Sequence, residues 1–584
     1  MKSGLITFVL FGMLPACIST GEPAEMQSQR WLGAYCNMTS DDQVAAQIAR
    51  MEQAARDGYN GIQLNDSKWV KWDLLGDGYE HYLSNVKKVR DAATRLNQKI
   101  MAVVAPIGYS NDLLVRDLNL AEGLPAKDVP FVVKDGALAP VAEQLVVNGD
   151  FEANDGKARA EGWYFDDRGG CSIDTGVKHG GNASVRVEAR GGRMRINQTI
   201  KVAPWRYYTV SIWIKAEGMQ GKEVISISPL GKDGRLLNWQ RVQADKDTFG
   251  LKEKQDWVRI VHTFNTLDND SINLYVGTWA TKNGTFWLDD IAIEPAGLCN
   301  VLRREGCPLS ITSLDGGTVY EEDKDVEKVV DPSLGLNRLY TYHAPPAIRI
   351  VPGGRLKEGD RVLISYYHPA VTAWGQVTCC FSDPKMKEIL KWHFEQVHKF
   401  VRPDEYLLSH DEVRVQGWDR SCHNAGKTGG EMLANNIKWC IDTLRKEDAG
   451  KPIWVLNDLF DPNHNAHKEM YHLVAGPTGW WGSWEGLPAD VGVLNWNGGD
   501  DQKIRQATLR FFAERGHRQV LCGYYDVPHE KVGPNIVRWL QDAQTVGAKV
   551  TGVAYCTFGN NWQEMETFLT AVRAGVGELG KVQK

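Results

Sequence analysis

The sequence predicts an α/β protein: a (β/α)8 TIM barrel interrupted by an inserted β subdomain and a β-sandwich (jelly roll) module. Three observations carry that expectation. Near-continuous apolar strands alternate with amphipathic helices in residues 28–110 and again towards the C-terminus. Between these stretches, period-two segments separated by Gly, Asp and Asn turns replace the helices. The chain, at 584 residues, is also too long to be built around one core.

The elements follow in order. Residues 1–22 pair Lys2 with an apolar run from Leu5 to Leu14 and then small residues, the pattern of a secretory signal peptide. Leu14-Pro15-Ala16-Cys17 resembles a bacterial lipoprotein processing site with Cys17 lipidated; cleavage without lipidation stays open. The expectation is an exported protein (periplasmic, outer-membrane or secreted) that meets a membrane only through that anchor. Strands at 30–36, 59–66 and 99–106 and helices at 41–58 and 80–97 make the first part of the barrel, 28–110. The remainder, 361–584, offers strands at 405–412, 452–460, 491–497, 519–526 and 550–558 with helices between them. "RVLISYYHP" (361–369) is a ninth candidate for eight places, so one strand is misassigned. Residues 111–143 and 297–360 form the β subdomain, itself split by a sandwich over 144–296.

Composition narrows the function. A net charge of −6 without a basic run argues against a nucleic-acid partner. The 21 Trp and 19 Tyr supply rings that stack on sugar faces, although rings also fill cores. Eleven cysteines are scattered without zinc-ligand spacing. Cys299 and Cys307 are close enough for a loop-closing disulfide, whereas Cys379, Cys380, Cys440, Cys522 and Cys556 read as buried thiols.

The sandwich opens "LVVNGDFEANDG" and closes "FWLDDIAIEP". These strands resemble the CenC-type carbohydrate-binding modules of families 4 and 9. The resemblance implies a structural calcium ion bridging the first and last strands through Glu152 and Asp289 or Asp290, carboxylates being the hard ligands calcium needs. The alternative is that these acids only cap turns. Trp213, Trp257 and Trp287 follow the core alternation, while Trp239 and Trp279 lie near turns and are candidates for stacking on sugar.

Polar and aromatic residues gather at the ends of the candidate strands: Tyr367 and His368; His410, Asp411 and Glu412; Asp458 and Asp461; Asn495 and Trp496; Tyr525 and Asp526; Tyr555. Strand ends converge on a barrel mouth, where catalytic groups sit in this fold. Two carboxylates in one site cannot both ionise cheaply, so Asp411 and Glu412 read as an acid–base pair of the kind glycoside hydrolysis requires. "YLLSHDE" resembles the H-x-G-G-D-E-type motif of the family 20 glycoside hydrolases (β-N-acetylhexosaminidases), with the two glycines missing. That resemblance implies Glu412 as general acid and Asp411 as the group that orients a substrate acetamido, with no catalytic cofactor. It also implies Trp496 and Trp562 as pocket walls and Tyr525 as a hydrogen-bond partner of the sugar. His410 is placed to support Asp411, and Arg414 and Asp419 as supporting or solvated groups. The segment 457–467 departs from the family pattern. Its Asp458, Asp461, His464 and His467 could bind substrate, structure a loop or hold zinc or manganese. A non-catalytic glycan-binding protein on a degenerate barrel, and a metal-dependent hydrolase or deacetylase, stay open beside the glycosidase.

Overall fold

The computed structural model describes Met26 and residues 28–582, apart from residues 158, 166–168, 220–223, 239–240, 244–251, 336–339, 373–374 and 424–425. The leader, Cys17 and Trp239 lie outside the described residues. Eight strands form a closed, all-parallel barrel in sequence order. They are β1 (Gln29–Tyr35), β2 (Gly61–Asn65), β3 (Lys99–Val104), β4 (Glu405–Leu408), β5 (Ile453–Leu456), β6 (Gly492–Asn495), β7 (Gln519–Tyr524) and β8 (Val550–Cys556). Closure pairs Gln29 of β1 with Gly552 of β8. Helices α1 (Asp41–Asp57) and α2 (Tyr79–Arg95) follow β1 and β2, and α3 (Pro384–Phe400) precedes β4. Then α4 (Gly429–Glu447), α5 (Gln502–Glu514), α6 (His529–Thr545) and α7 (Met565–Val582) follow β4, β6, β7 and β8.

Local chemistry sets these boundaries. Ser40 accepts a hydrogen bond from the Gln43 amide to start α1, and Gly58, at φ +104°, ends it in the left-handed region. Thr428 and Glu431 form a reciprocal capping box on α4, and the Asp383 carboxylate caps α3 ahead of Pro384. Inside the barrel, Trp31, Met101, Leu407, Trp454, Leu494, Val520, Cys522 and Ala554 close its floor. The two indoles need bare neighbours. A Cβ on Gly61 would lie 2.3 Å from Trp31, and one on Gly492 would lie 2.1 Å from Trp454.

The chain leaves the barrel after β3 and returns at α3. In between is a six-stranded antiparallel sheet, ordered Val319–Tyr320, Ser310–Ser313, Arg361–Pro369, Gly123–Lys134, Ala137–Pro140, Ile348–Arg349. The ninth strand candidate, 361–369, belongs to this sheet, so the return to the barrel falls after Pro369 rather than at 361. Its alternation of buried and part-exposed residues is what a sheet with one covered face requires.

The sandwich stacks a five-stranded sheet (Lys254–Asn265, Tyr207–Glu217, Thr285–Pro295, Ser184–Glu188, Cys171–Asp174) on a four-stranded one (Arg241–Gln243, Val224–Leu230, Ser271–Thr278, Met194–Lys201). It is docked, not tethered. His368 stacks on Tyr207 at 3.5 Å between ring centres, and its Nε2 accepts from Asn265 at 2.9 Å. Trp418 meets Trp205 edge-on, and Val415 and Leu473 from the barrel loops complete the sandwich's apolar cluster.

The expected Cys299–Cys307 disulfide is not formed. Both are free, buried thiols; Cys299 lies against the His343 ring, and Cys307 sits in a turn closed onto Arg304. Among the described residues, no helix is long and apolar enough to cross a membrane.

Candidate active site at the barrel mouth

Strand β4 stops at Leu408, four residues before the expected end, so Ser409–Glu412 run as loop over the barrel mouth. Glu412 holds φ +44°, a conformation costly for a residue with a side chain and kept only where the surroundings enforce it. One enforcing contact is the bare face of Gly108, where a Cβ would lie 1.6 Å from the Asp411 carbonyl oxygen. Another is Gln376, whose Nε2 donates to the Glu412 carbonyl at 2.8 Å. The backbone therefore turns within two residues, and adjacent side chains reach one mouth instead of opposite faces of a strand.

The environments of the carboxylates differ. The Glu412 Oε2 receives the Arg414 Nη2 at 2.6 Å and the Tyr109 hydroxyl at 2.6 Å. Arg414 is fixed in turn by Gln376 Oε1 at 2.6 Å. Asp411 has no such partner. Burial, then the charges of Asp458 and Glu412, push its carboxyl well above the usual range, with Arg414 pulling weakly the other way. Asp458, at the end of β5, is fully buried, and burial followed by the charge of Glu412 raises it to about 7. Its Oδ2 accepts from the Glu412 amide at 3.3 Å and from Asn465 at 3.4 Å, whereas its buried Oδ1 has no partner. One carboxylate is matched by a cation, and two neighbours compete for protonation, an arrangement suited to holding a proton donor beside an anion.

His464, Trp496 and Tyr525 line the same mouth. The imidazole of His464 packs edge-on against Trp496 at 4.4 Å, and burial lowers its basicity despite Asp461 and Glu412 nearby. Trp496 faces Tyr525 at 6.3 Å. Tyr35 and Tyr471, not singled out in the sequence, belong here too: the electrostatic neighbours of both hydroxyls include Asp411 and Glu412.

Other expected site residues serve the fold instead. The Asp461 carboxylate is saturated by Thr508, Asn457 and the Asn463 amide, so it organises a turn. Asp461, Asp458, His464 and His467 do not gather into a metal-ligating cluster among the described residues. Asn495 donates to Gln519 inside the barrel, and Asp526 accepts from the Phe558 and Gly559 amides to fix the last loop. Tyr555 of β8 is stacked on Tyr524 of β7 in the apolar layer shared with the outer helices, and Trp562 lies under Arg50 of α1. Tyr367 lies in the inserted sheet facing Arg420 and Cys307, and His368 is the inter-domain pin described above, held neutral by burial with its basicity lowered to about 3. His410 turns away from Asp411: its Nε2 meets Asn436 Oδ1 of α4 at 2.8 Å, and burial lowers it to about 4.

In the sandwich, Glu152 accepts from the Asn182 and Ala183 amides and from the Asn182 side chain, and Asp289 accepts from His179 and Gly180. Asp290 meets the His179 ring at 2.6 Å. The three acids thus converge on one turn, 179–183. Trp279 lies beside Tyr275 and Arg195 on the outer face of the four-stranded sheet.

Residues 143–284 match the carbohydrate binding domain family CBM_4_9. No curated protein matches the chain. Among solved structures, the segment is similar to TmCBM61 in complex with β-1,4-galactotriose, at 14% identity, 26% of this chain, 99% of that one and TM-score 0.20. It is similar to a CBM4 structure at 20% identity, with coverages of 26% and 99% and TM-score 0.19. The CBM22-1 xylan-binding domain from Paenibacillus barcinonensis Xyn10C aligns at 15% identity, with coverages of 26% and 92% and TM-score 0.19. Residues 143–284 are therefore a carbohydrate-binding domain of the CBM_4_9 type, carried by an eight-stranded parallel barrel.

Proposed function

We propose that the protein is an exported glycoside hydrolase whose (β/α)8 barrel cleaves glycans that the sandwich helps to bind. The observation that carries this reading is the split among three acids at the mouth: Glu412 matched by Arg414 and Tyr109, Asp411 and Asp458 pushed upward. In this reading the Asp411–Asp458 pair holds the proton that goes to the leaving oxygen, and Glu412 is the anion that supports positive charge at the anomeric carbon. That assigns the acid role to the pair instead of to Glu412, because Glu412 already accepts two strong hydrogen bonds on one oxygen. Trp496 and Tyr525 supply flat faces for a sugar ring. The family 20-like, acetamido-assisted variant is the finer form of the proposal, and in it the roles change: Glu412 gives the proton to the leaving oxygen and Asp411 lies beside the acetamido group.

The sandwich contributes a polar, aromatic outer face with Arg195, Asn197, Asn273, Tyr275 and Trp279, suited to an oligo- or polysaccharide. The expected calcium ligands do not fit: Glu152 and Asp289 accept the amides of the turn 179–183, Asp290 is paired with His179, and the three acids form no metal-ligating cluster among the described residues. Lipidation of Cys17 would attach the protein to a membrane.

Hydrolysis of aryl glycosides and natural oligosaccharides by wild type, Glu412→Gln and Asp458→Asn tests the reading. Turnover unchanged in both variants overturns it. Insensitivity to a thiazoline inhibitor removes the acetamido-assisted step and leaves the hydrolase.

A further inference from the structure

A second polar cluster lies outside the mouth. Glu122, Cys380, Asp419 and Cys422 are all buried, and their ligand atoms lie within 4.8 Å of one another. The Cys422 Sγ is 3.6 Å from Glu122 Oε2 and 3.6 Å from Cys380 Sγ, which is 3.5 Å from Asp419 Oδ1. A tetrahedron with zinc–sulfur bonds of about 2.3 Å and zinc–oxygen bonds of about 2.0–2.2 Å has edges of roughly 3.3–3.8 Å, so these spacings leave room for one ion at the centre. Thiols and carboxylates packed this closely in a dry interior are otherwise costly.

The surroundings orient the four side chains as metal ligands are oriented. Glu122 Oε1 accepts from the Trp418 amide at 2.7 Å, and Asp419 Oδ2 accepts from Arg304 Nη2 at 2.5 Å. An independent sign comes from Gln416. This fully buried side chain points its amide at Cys422, with Nε2 2.9 Å from the sulfur, while its Oε1 has no partner. A donor aimed at sulfur suits a thiolate far better than a thiol.

We propose that Glu122, Cys380, Asp419 and Cys422 form a structural zinc site that joins the inserted sheet to the barrel. As Zn²⁺ enters, the two thiols become thiolates and two protons leave, so the buried charge is unchanged and Arg304 remains its partner. The four ligands come from three separate places. Glu122 opens the strand Gly123–Lys134, Cys380 precedes α3, and Asp419 and Cys422 close the loop that begins at Asp411. The ion therefore clamps the segment bearing Arg414 against both flanks of the insertion. Mixed sulfur and oxygen ligation favours zinc over calcium or magnesium.

Elemental analysis of the full chain, purified without chelator after growth with added zinc, is the direct test. About one zinc per chain is expected in wild type and in Cys440→Ser, and close to none in the Cys380→Ser/Cys422→Ser double variant. Replacement by Co²⁺ should give wild type the near-ultraviolet thiolate-to-cobalt absorption and leave the double variant without it. Wild-type protein without stoichiometric metal, even after incubation with Zn²⁺ or Co²⁺, overturns the proposal without reference to how any variant folds. So does zinc retained by a folded double variant, or a Cys380–Cys422 disulfide in wild type detected by non-reducing mass spectrometry.

Discussion

Two groups of acids in this molecule are handled in opposite ways. Around the sandwich turn 179–183, Glu152 is exposed and accepts two backbone amides and a side-chain amide, which holds its carboxyl below the usual range. At the barrel mouth, Asp458 is fully buried, leaves one oxygen without a partner and is raised to about 7. Glu152 is satisfied locally and stabilises a turn, although Asp289 beside it is raised by burial to about 6. Asp458 is left under-satisfied by the fold, which is costly unless function uses the misfit. Sequence neighbours do not separate Glu152 from Asp458; burial and the supply of amides do.

The largest effect is expected from Glu412→Gln, which should lower kcat by roughly 10²–10⁴ on glycosides, read by steady-state kinetics. Full activity in that variant would mean the mouth acids are as structural as those of the sandwich. Wild-type activity should fall as pH rises above about 7, because the proton shared near Asp458 is then lost; a pH–rate profile flat to pH 9 contradicts this. The same residue costs stability over the pH range in which it loses its proton. Its folded-state value lies above its unfolded one, so stability falls as pH rises from the unfolded carboxylate value through about 7 and levels off above it. Asp458→Asn should therefore raise the barrel's Tm at pH 8 by about 2–4 °C for each 1 kcal/mol relieved, while activity drops; unchanged melting would remove the argument for a misfit. Trp279→Ala should weaken polysaccharide binding about tenfold, read by affinity electrophoresis, with aryl glycoside turnover untouched. The smallest effect belongs to Glu152→Gln. Glu152 is lowered in the folded state, so its contribution is present above the unfolded carboxylate value and lost as pH falls through the folded one. The variant should thus differ from wild type in Tm at pH 7 and converge with it near pH 3.

The barrel strands and the sandwich were legible because each has its own period: continuous apolar runs flanked by helices, and strict alternation between turns. The strand 361–369 misled because half-buried edges of an inserted sheet carry the same apolar content as a barrel strand. At the site, Asp411, Glu412, Asp458 and Trp496 were legible as polar groups ending predicted strands, and Arg414 lay two residues on. Tyr109 and Gln376 were not, since they reach Glu412 from the two flanks of the insertion, more than 260 residues apart in sequence. His410 and His368 were misleading for one reason: a buried imidazole held by Asn436 or Asn265 looks in sequence like a catalytic one. The cluster around Asp419 escaped because ligands drawn from three distant segments leave no spacing to read.

The place of the insertion bears on how the chain acquires its fold. Strand β3 is hydrogen-bonded to β4, and the Ile100 amide pairs with the Asp404 side chain across 304 residues of sequence. During synthesis, β1, β2 and β3 emerge long before β4 exists, and their open edge is a template for unwanted pairing. The strands of the sandwich, by contrast, are all supplied between 144 and 296, with Val415 and Leu473 added to its apolar cluster only when the barrel loops arrive. Its contacts from Tyr207 and Asn265 to His368 hold the end of the insertion beside the barrel, so the effective loop between β3 and β4 is shorter than about 300 residues of free chain would make it.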